Sequence, residues 1–548
     1  VQEDAAGAIV EPAWRRALPA CLAILAPVLL WAVVFVAVPP ADQDFPLHDD
    51  WAFDRTAFDL AHGEGLHYYH WASMPLLGQL VLAMPIVWVF GDSHVALRIG
   101  ALILACGGLA AFYSLVRRAG QLNRDAAALA TACLGLNPLF FLLAATFQSD
   151  VIALSFSLIA LALYAQGKPN GGWHWWLLGC VAAVFAVTTR QNAVVVPLVI
   201  ALDRDTWSGK RWWVQAAAGV FVPGAAAVLA NAWFVSRTDA QPLTVNWNNL
   251  WSAAVLFYIG LHGLGLSALP ALAAYRFRSW RAFGLGLAGL FAEMLVVLLM
   301  QPYSADVFPY LGNWIMQWGQ FENGHLIRGD RPLLMGPGIR WALTVLGCLG
   351  GAGLIAHAAD LGGRALRRHP LMLFTGFHFL FLPLAPWVFD RYFVVLIPGA
   401  LALAATGLPF RIGRPVAAVL LIGLGLFSCA MLHDLLVWNH ARWALGERAL
   451  ARGIPAIEIE GGFPWDGWYS REGSVARNDG PPAPHLLSFT QACFPFVHGQ
   501  YALSFSVPAG SRVLDEEPYH FWLIPGEQRF FLVQWTERPA GLEQRIVP

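Results

Sequence analysis

Charge is scarce in this sequence. Asp, Glu, Lys and Arg make up 13% of its 548 residues, about half the share of an average soluble protein. That excludes a string of ordinary soluble domains. Neither sign is in excess: 34 Lys and Arg stand against 35 Asp and Glu, so there is no global basic footprint for nucleic acid. Cysteine is sparse as well, with seven residues. Cys21, Cys106, Cys133, Cys180, Cys348 and Cys429 sit in apolar runs, where a thiol is a small buried hydrophobe. Only Cys493 lies in a soluble-looking stretch, with no obvious disulfide partner. Walker loops, Gly-rich nucleotide fingerprints, zinc helices and C-x-x-C pairs are absent from the sequence. What the chain has is apolar surface, 57% of its residues, arranged in membrane-length runs. Such a composition excludes disorder and defines an integral membrane protein.

Apolar runs predict spans near residues 18–38, 96–116, 126–146, 150–166, 173–189, 192–203, 213–235, 251–274, 282–301, 340–359, 370–388, 391–409 and 415–436. Lys and Arg concentrate on the cytoplasmic side of such proteins. With the N-terminus inside, the inner loops collect seventeen Lys and Arg and the outer loops eight, which supports thirteen spans and an extracytoplasmic tail. The run Met74–Phe90 breaks that alternation if it spans, because Arg117 and Arg118 would then fall outside. It is read as a helix lying along the outer interface. Two outer loops are long: residues 41–95, acidic and rich in His and aromatics, and residues 302–339, rich in Gly and aromatics, with Trp314, Trp318, Glu322, His325, Arg328 and Arg331. After residue 436 the composition turns soluble. A helix over Trp438–Arg452 and strands over Tyr501–Val507, Tyr519–Ile524 and Phe530–Trp535 are expected there, from their alternation and the turn signals between them.

Three constellations carry chemistry. Phe45-Pro-Leu-His-Asp-Asp-Trp-Ala-Phe53 lies just outside the first span. Asp49 or Asp50 either caps a helix starting at Trp51 or is a carboxylate placed to take a proton from an acceptor hydroxyl. Phe147-Gln-Ser-Asp150 sits at the outer junction of the third and fourth spans; Asp150 is a helix cap or a second acid on the same membrane face. Thr188-Thr-Arg-Gln191 puts one cation at the outer end of a span, where Arg190 either snorkels to headgroups or grips a phosphate through its planar fork. Glu293, inside an apolar run, is expensive unless paired or facing a cavity. His357, His378 and His433 read as satisfied core histidines, and Pro464-Trp-Asp-Gly-Trp-Tyr469 as a Trp-rich turn beside the membrane.

The N-inside first span, the acidic outer loop, Ala96-Leu-Arg-Ile-Gly100 before a span ending in Arg117-Arg118, and Asp390-Arg-Tyr-Phe393 before a late span together resemble the C-type membrane glycosyltransferases. The similarity is to their family 39-like branch, related to protein O-mannosyltransferases and lipid A aminoarabinose transferases. It is clearest over residues 40–200. The resemblance implies an all-α polytopic membrane domain (residues 1–436, about thirteen transmembrane helices, interfacial helices in the first outer loop). A small α/β extracytoplasmic domain follows (residues 437–548). It also implies a bacterial inner membrane location and transfer of a sugar from a polyprenyl-phosphate donor to a lipid, glycan or protein hydroxyl, by inverting displacement. The family's acidic pair falls on Asp49 and Asp50, where Asp-Glu is commoner, so either could be the base. Its further acid falls on Asp150, and its outer cation on Arg190, where Lys is more usual. His48 and Trp51 are the flanking substrate contacts. No cofactor is required; a divalent cation (Mg²⁺ or Mn²⁺) is optional, with Asp49, Asp50 and Asp150 as its ligands. Rival readings are a polytopic transporter or flippase of envelope lipids or glycans, and a non-enzymatic envelope assembly factor.

Overall fold

A computed structural model describes residues 13–118, 122–167, 172–207, 211–242, 250–273, 278–300, 314–316, 327–362, 369–385, 389–406, 414–470, 494, 497 and 499–536. Cys493, Trp318, Glu322, His325 and most of the second long outer loop lie outside the described residues.

Each predicted apolar run contains helix, the form in which every backbone polar group is satisfied without water. The helices are α1 (Ala13–Ala37), α2 (Asp50–Ala61), α3 (Leu77–Phe90), α4 (His94–Arg118), α5 (Arg124–Gly135), α6 (Pro138–Ala144), α7 (Ser149–Gln166), α8 (Trp173–Thr189), α9 (Val195–Leu202), α10 (Trp212–Val235), α11 (Leu250–Leu272), α12 (Trp280–Met300), α13 (Pro337–Leu361), α14 (Pro370–Phe381), α15 (Ile397–Ala405) and α16 (Arg414–Ala451). The chain is a multi-pass membrane protein. Among the described residues six helices are long and apolar enough to cross a bilayer: α1, α4, α7, α10, α13 and α16. A seventh span arises if α5 and α6, bent by 63°, count as one.

Thirteen spans are not confirmed among the described residues, and several of the runs divide for local reasons. At the bend, the Asn137 side chain accepts from the N–H groups of Leu139 and Phe140 and starts a new helix at Pro138. The run 391–409 becomes a 3₁₀ turn, Asp390–Val395, followed by the nine residues of α15. The run 192–203 divides in the same way at Val194 and Val195. α3 has 14 residues, about 21 Å at 1.5 Å per residue, short of the ~30 Å apolar core. Its Trp88, Val89 and Phe90 are exposed, and it packs on α2, α4 and α8.

Small residues let α11 and α13 approach closely. A Cβ on Gly265 would lie 2.2 Å from the Gly347 carbonyl oxygen. Glu293 on α12 faces His262 of α11 at 3.8 Å.

α16 runs 38 residues without a break, so the expected boundary at 436 falls inside one helix. Beyond it a short helix, α17 (Phe463–Tyr469), accompanies four strands, β1 (Ile459–Glu460), β2 (Tyr501–Ser504), β3 (Ser511–His520) and β4 (Glu527–Trp535). Their order is β1-β2-β4-β3, with β1 parallel to β2 and the other pairings antiparallel. β3 begins earlier than its apolar end suggests, because most of its side chains are at least partly exposed and carry no alternation to read. The sheet is fastened to the membrane region at two points. Asp434 of α16 accepts from the N–H groups of Trp522 and Leu523, and His433 stacks on Trp522 at 3.8 Å. In the second outer loop, Arg328 pairs with Glu460 at 3.0 Å and accepts the Phe505 N–H. Arg331 lies over the Phe505 ring at 4.7 Å.

Candidate active site

Asp49 stands at the N-cap of α2, yet its side chain makes no cap hydrogen bond. Its carboxylate turns instead toward three other groups. Arg391 donates from NH1 to Oδ2 at 2.6 Å, Trp71 donates from Nε1 to Oδ1 at 2.9 Å, and His48 Nδ1 lies 3.0 Å from Oδ1. Burial alone would raise this carboxyl; the neighbouring His48 and Arg391 charges win and hold it far below the usual carboxylate range. Asp49 is ionised and 4% exposed.

Asp50 behaves in the opposite way. It is fully buried, and its two oxygens accept from the Phe147 N–H (3.1 Å) and from Gln148 Nε2 (3.0 Å). Burial and the nearby Asp54 push its carboxyl well above the usual range. Asp54, one turn on, is also raised by burial, and His94 Nδ1 lies 2.5 Å from its Oδ2. The acidic pair thus separates into one ionised carboxylate and one that favours its proton. Such a split distinguishes chemical roles within a site.

Gln148 connects the two. Its Nε2 donates to Asp50, and its Oε1 accepts from the same Arg391 NH1 that holds Asp49, at 3.0 Å. In the sequence Arg391 stands out only within Asp390-Arg-Tyr-Phe393 and Gln148 only within Phe147-Gln-Ser-Asp150; in the structure both connect the acids. Next to Arg391, Asp390 accepts the N–H groups of Trp314 and Ile315 at 2.7–3.0 Å. That places this fragment of the second outer loop beside His48, whose ring lies 6.0 Å from that of Trp314.

Asp150, in the first turn of α7, is paired with Arg190 at 2.9 Å rather than capping its helix. Arg190 also donates to Ser149 Oγ at 2.9 Å and is 8% exposed, so it does not snorkel to headgroups. The Tyr392 ring is close to both cations, its centroid 5.3 Å from the Arg190 guanidinium carbon and 5.7 Å from that of Arg391. Asp150 and Arg190 line a cavity with Ser157, Asn192, His378 and Tyr392. Asp49 and Asp50 do not line it; they reach it through Arg391 and Tyr392.

The flanking candidates fare differently. His48 takes a left-handed backbone (φ 47°) beside Asp49, with its ring near Phe463 and Trp314. Trp51 is fully enclosed by Tyr69, Trp71, Phe463 and Phe494, so its ring belongs to the packing under the site. The three carboxylates proposed for a cation do not converge. Asp49 is committed to Arg391, Asp150 to Arg190, and Asp50 to Phe147 and Gln148. No group of three or more described His, Cys, Asp or Glu residues is disposed to hold a metal. The Trp-rich turn is structural: Trp465 is fully buried against Trp443 and Tyr469. His378 lines the cavity and is not simply a core histidine.

Residues 74–235, which hold Asp150, Arg190 and Gln148, match the family described as dolichyl-phosphate-mannose-protein mannosyltransferase. The resemblance to the C-type membrane glycosyltransferases is thus found on a segment that forms part of the cavity wall. Among solved structures, the chain is similar to ArnT from Cupriavidus metallidurans in the apo state (14% identity, 92% of this chain and 98% of that one, TM-score 0.39). It is also similar to the same protein bound to undecaprenyl phosphate (13%, 95% and 98%, TM-score 0.40). A third similar structure is the Archaeoglobus fulgidus oligosaccharyltransferase in the apo form (14%, 90% and 70%, TM-score 0.44). No curated protein matches the chain by sequence.

Proposed function

We propose that this protein transfers a sugar from a polyprenyl-phosphate donor to an acceptor hydroxyl at the extracytoplasmic face of a bacterial inner membrane. The N-terminus is cytoplasmic, and residues 437–548 form a cap on the far side. The observation that carries the reading is the pairing of Asp49 with Arg391 beside that of Asp150 with Arg190, with the Tyr392 ring close to both cations. The match of residues 74–235 to mannosyltransferases that use a polyprenyl-phosphate sugar supports the donor class.

Asp49 is the base. It is ionised and touches a cation suited to a phosphate, whereas Asp50 is enclosed and favours its proton. The acceptor oxygen attacks the anomeric carbon as its proton passes to Asp49. The bond from that carbon to the phosphate oxygen breaks, and the polyprenyl phosphate departs with the electron pair. One displacement inverts the anomeric centre. Arg190 and Arg391 stabilise the charge that builds on the departing phosphate, an electrostatic contribution that is often the largest in such sites. Asp50 positions Gln148, and Gln148 positions Arg391. No step requires a metal.

The test is transfer from a radiolabelled polyprenyl-phosphate sugar in membranes containing the protein. Label moving to an acceptor fraction with wild type, and not with Asp49→Asn, supports the reading. Wild-type membranes that move the labelled lipid across the bilayer without cleaving it would favour a flippase instead.

A further inference from the structure

His378, like Ser157 and Asn192, is a polar residue of the cavity with no part in the mechanism above, and it is the imidazole among them. It lies on α14, is 2% exposed, and lines the same cavity as the Asp150–Arg190 pair. Its Nδ1 is 2.9 Å from the Phe374 carbonyl oxygen, which can only accept, so Nδ1 carries a proton and donates there. The hydrogen bond on one ring nitrogen sets the state of the other, leaving the Nε2 lone pair at the opposite edge of the ring.

The charges facing this ring come from three other elements: Asp150 from α7, Arg190 from the end of α8, and Tyr392, when ionised, from the 390–395 turn. α14 contributes no other charged side chain. Asp150 and Arg190 cancel each other, so the wall holds no net charge. A polyprenyl-phosphate sugar is a diester with one negative charge. When the sugar leaves, the phosphate becomes a monoester, whose second pKa is about 6, and it gains a second negative charge. A neutralised wall cannot match that charge unless one more proton enters.

We propose that His378 is a ligand of the departing phosphate and shares with it one proton, taken from water as the bond to the sugar breaks; this rests on the transfer reaction proposed above. In the product complex the proton lies between Nε2 and a phosphate oxygen, while Arg190 holds a second oxygen. Binding of polyprenyl phosphate is then coupled to uptake of one proton.

The experiment measures binding of polyprenyl phosphate to the full-length, detergent-purified protein by calorimetry at pH 7.5, in buffers of different ionisation enthalpy. Wild type should take up about one proton per phosphate bound, and its dissociation constant should rise about tenfold per pH unit above pH 7. His378→Gln and His378→Asn should take up close to none, with less than about a threefold rise per pH unit. Both variants are checked by melting temperature. Wild type that binds without proton uptake overturns the proposal, as does either folded variant that keeps the uptake. Because the wild-type measurement stands alone, misfolding of both variants leaves the proposal falsifiable. Wild type that binds with proton uptake yet shows no sugar transfer refutes the transfer reaction and leaves the phosphate site standing.

Discussion

Replacing Asp49 and Asp50 separately by Asn distinguishes the two carboxylates, because the proposed mechanism gives them different work. Asp49→Asn keeps an oxygen that can accept one bond from Arg391, but it removes the charge that opposes a largely buried guanidinium; the two side chains are 5% and 12% exposed. Removing one partner of a buried pair costs about 3–5 kcal/mol when nothing replaces it. The surviving hydrogen bond should reduce this to about 2–3 kcal/mol. Loss of a positioned base lowers turnover by about 10²–10⁴, so kcat should fall by that factor while a folded, extractable protein remains. Asp50→Asn is milder. Its carboxyl already favours the protonated state, which an amide imitates. The new NH₂ group, however, faces Gln148 Nε2, and Gln148 must turn its amide to avoid it. Its oxygen would then leave Arg391, so turnover should fall about tenfold through misplacement of the cation. Transfer of labelled sugar by the purified variants, with melting temperatures measured alongside, reads both effects. A larger loss in Asp50→Asn than in Asp49→Asn would refute the assignment of the base.

Four other outcomes are expected. Asp50 is raised in the folded state, so its contribution to stability is fully present below about pH 4 and is lost as pH rises through the raised value; Asp50→Asn should flatten the decline of melting temperature as pH rises above that point. Asp390→Asn should weaken the hold on Trp314 and Ile315, and hydrogen exchange at these two amides should accelerate at least tenfold while that of α15 is unchanged. A Cβ on Gly467 would sit 2.4 Å from the Trp51 ring, so Gly467→Ala should cost about 1–3 kcal/mol in denaturant melts and lower transfer activity through the displaced α2. A reporter fused after Pro548 should read as extracytoplasmic; a cytoplasmic signal would overturn the orientation.

Helix was legible wherever the apolar runs were, since hydropathy reports burial in lipid directly. Span number was not, because Asn137-Pro138 and the turn at Asp390–Val395 divide apolar stretches without lowering their hydropathy. The acids and Arg190 were visible as charged residues at the outer ends of runs. Their partners were hidden: Arg391 meets Asp49 across 342 positions of sequence, and no local pattern signals a contact at that range. Asp49 and Asp150 both stood where caps belong, and capping was a fair reading of either; tertiary partners took the carboxylates instead. Trp51, beside the acidic pair, stands in the sequence as a candidate substrate contact, yet only the fold reveals that four aromatic rings enclose it.

α16 has a consequence for how the ends of the chain depend on each other. At about 1.5 Å per residue its 38 residues reach about 57 Å, nearly twice the apolar thickness of a bilayer. It therefore acts as a mast along which the sheet is held, from Asp434, which accepts from the Trp522 and Leu523 N–H groups, to Arg448, which pairs with Asp515. α17 returns from the top of that mast to press Gly467 on Trp51 and Phe463 on Trp71, and Trp71 is one of the residues that hold Asp49. Tilting the mast would shift the floor of the active site, so the tail is a brace and not a detachable appendage. A chain cut at residue 436 would lose the last fifteen of the 38 residues of the mast and, with them, the support beneath Asp49.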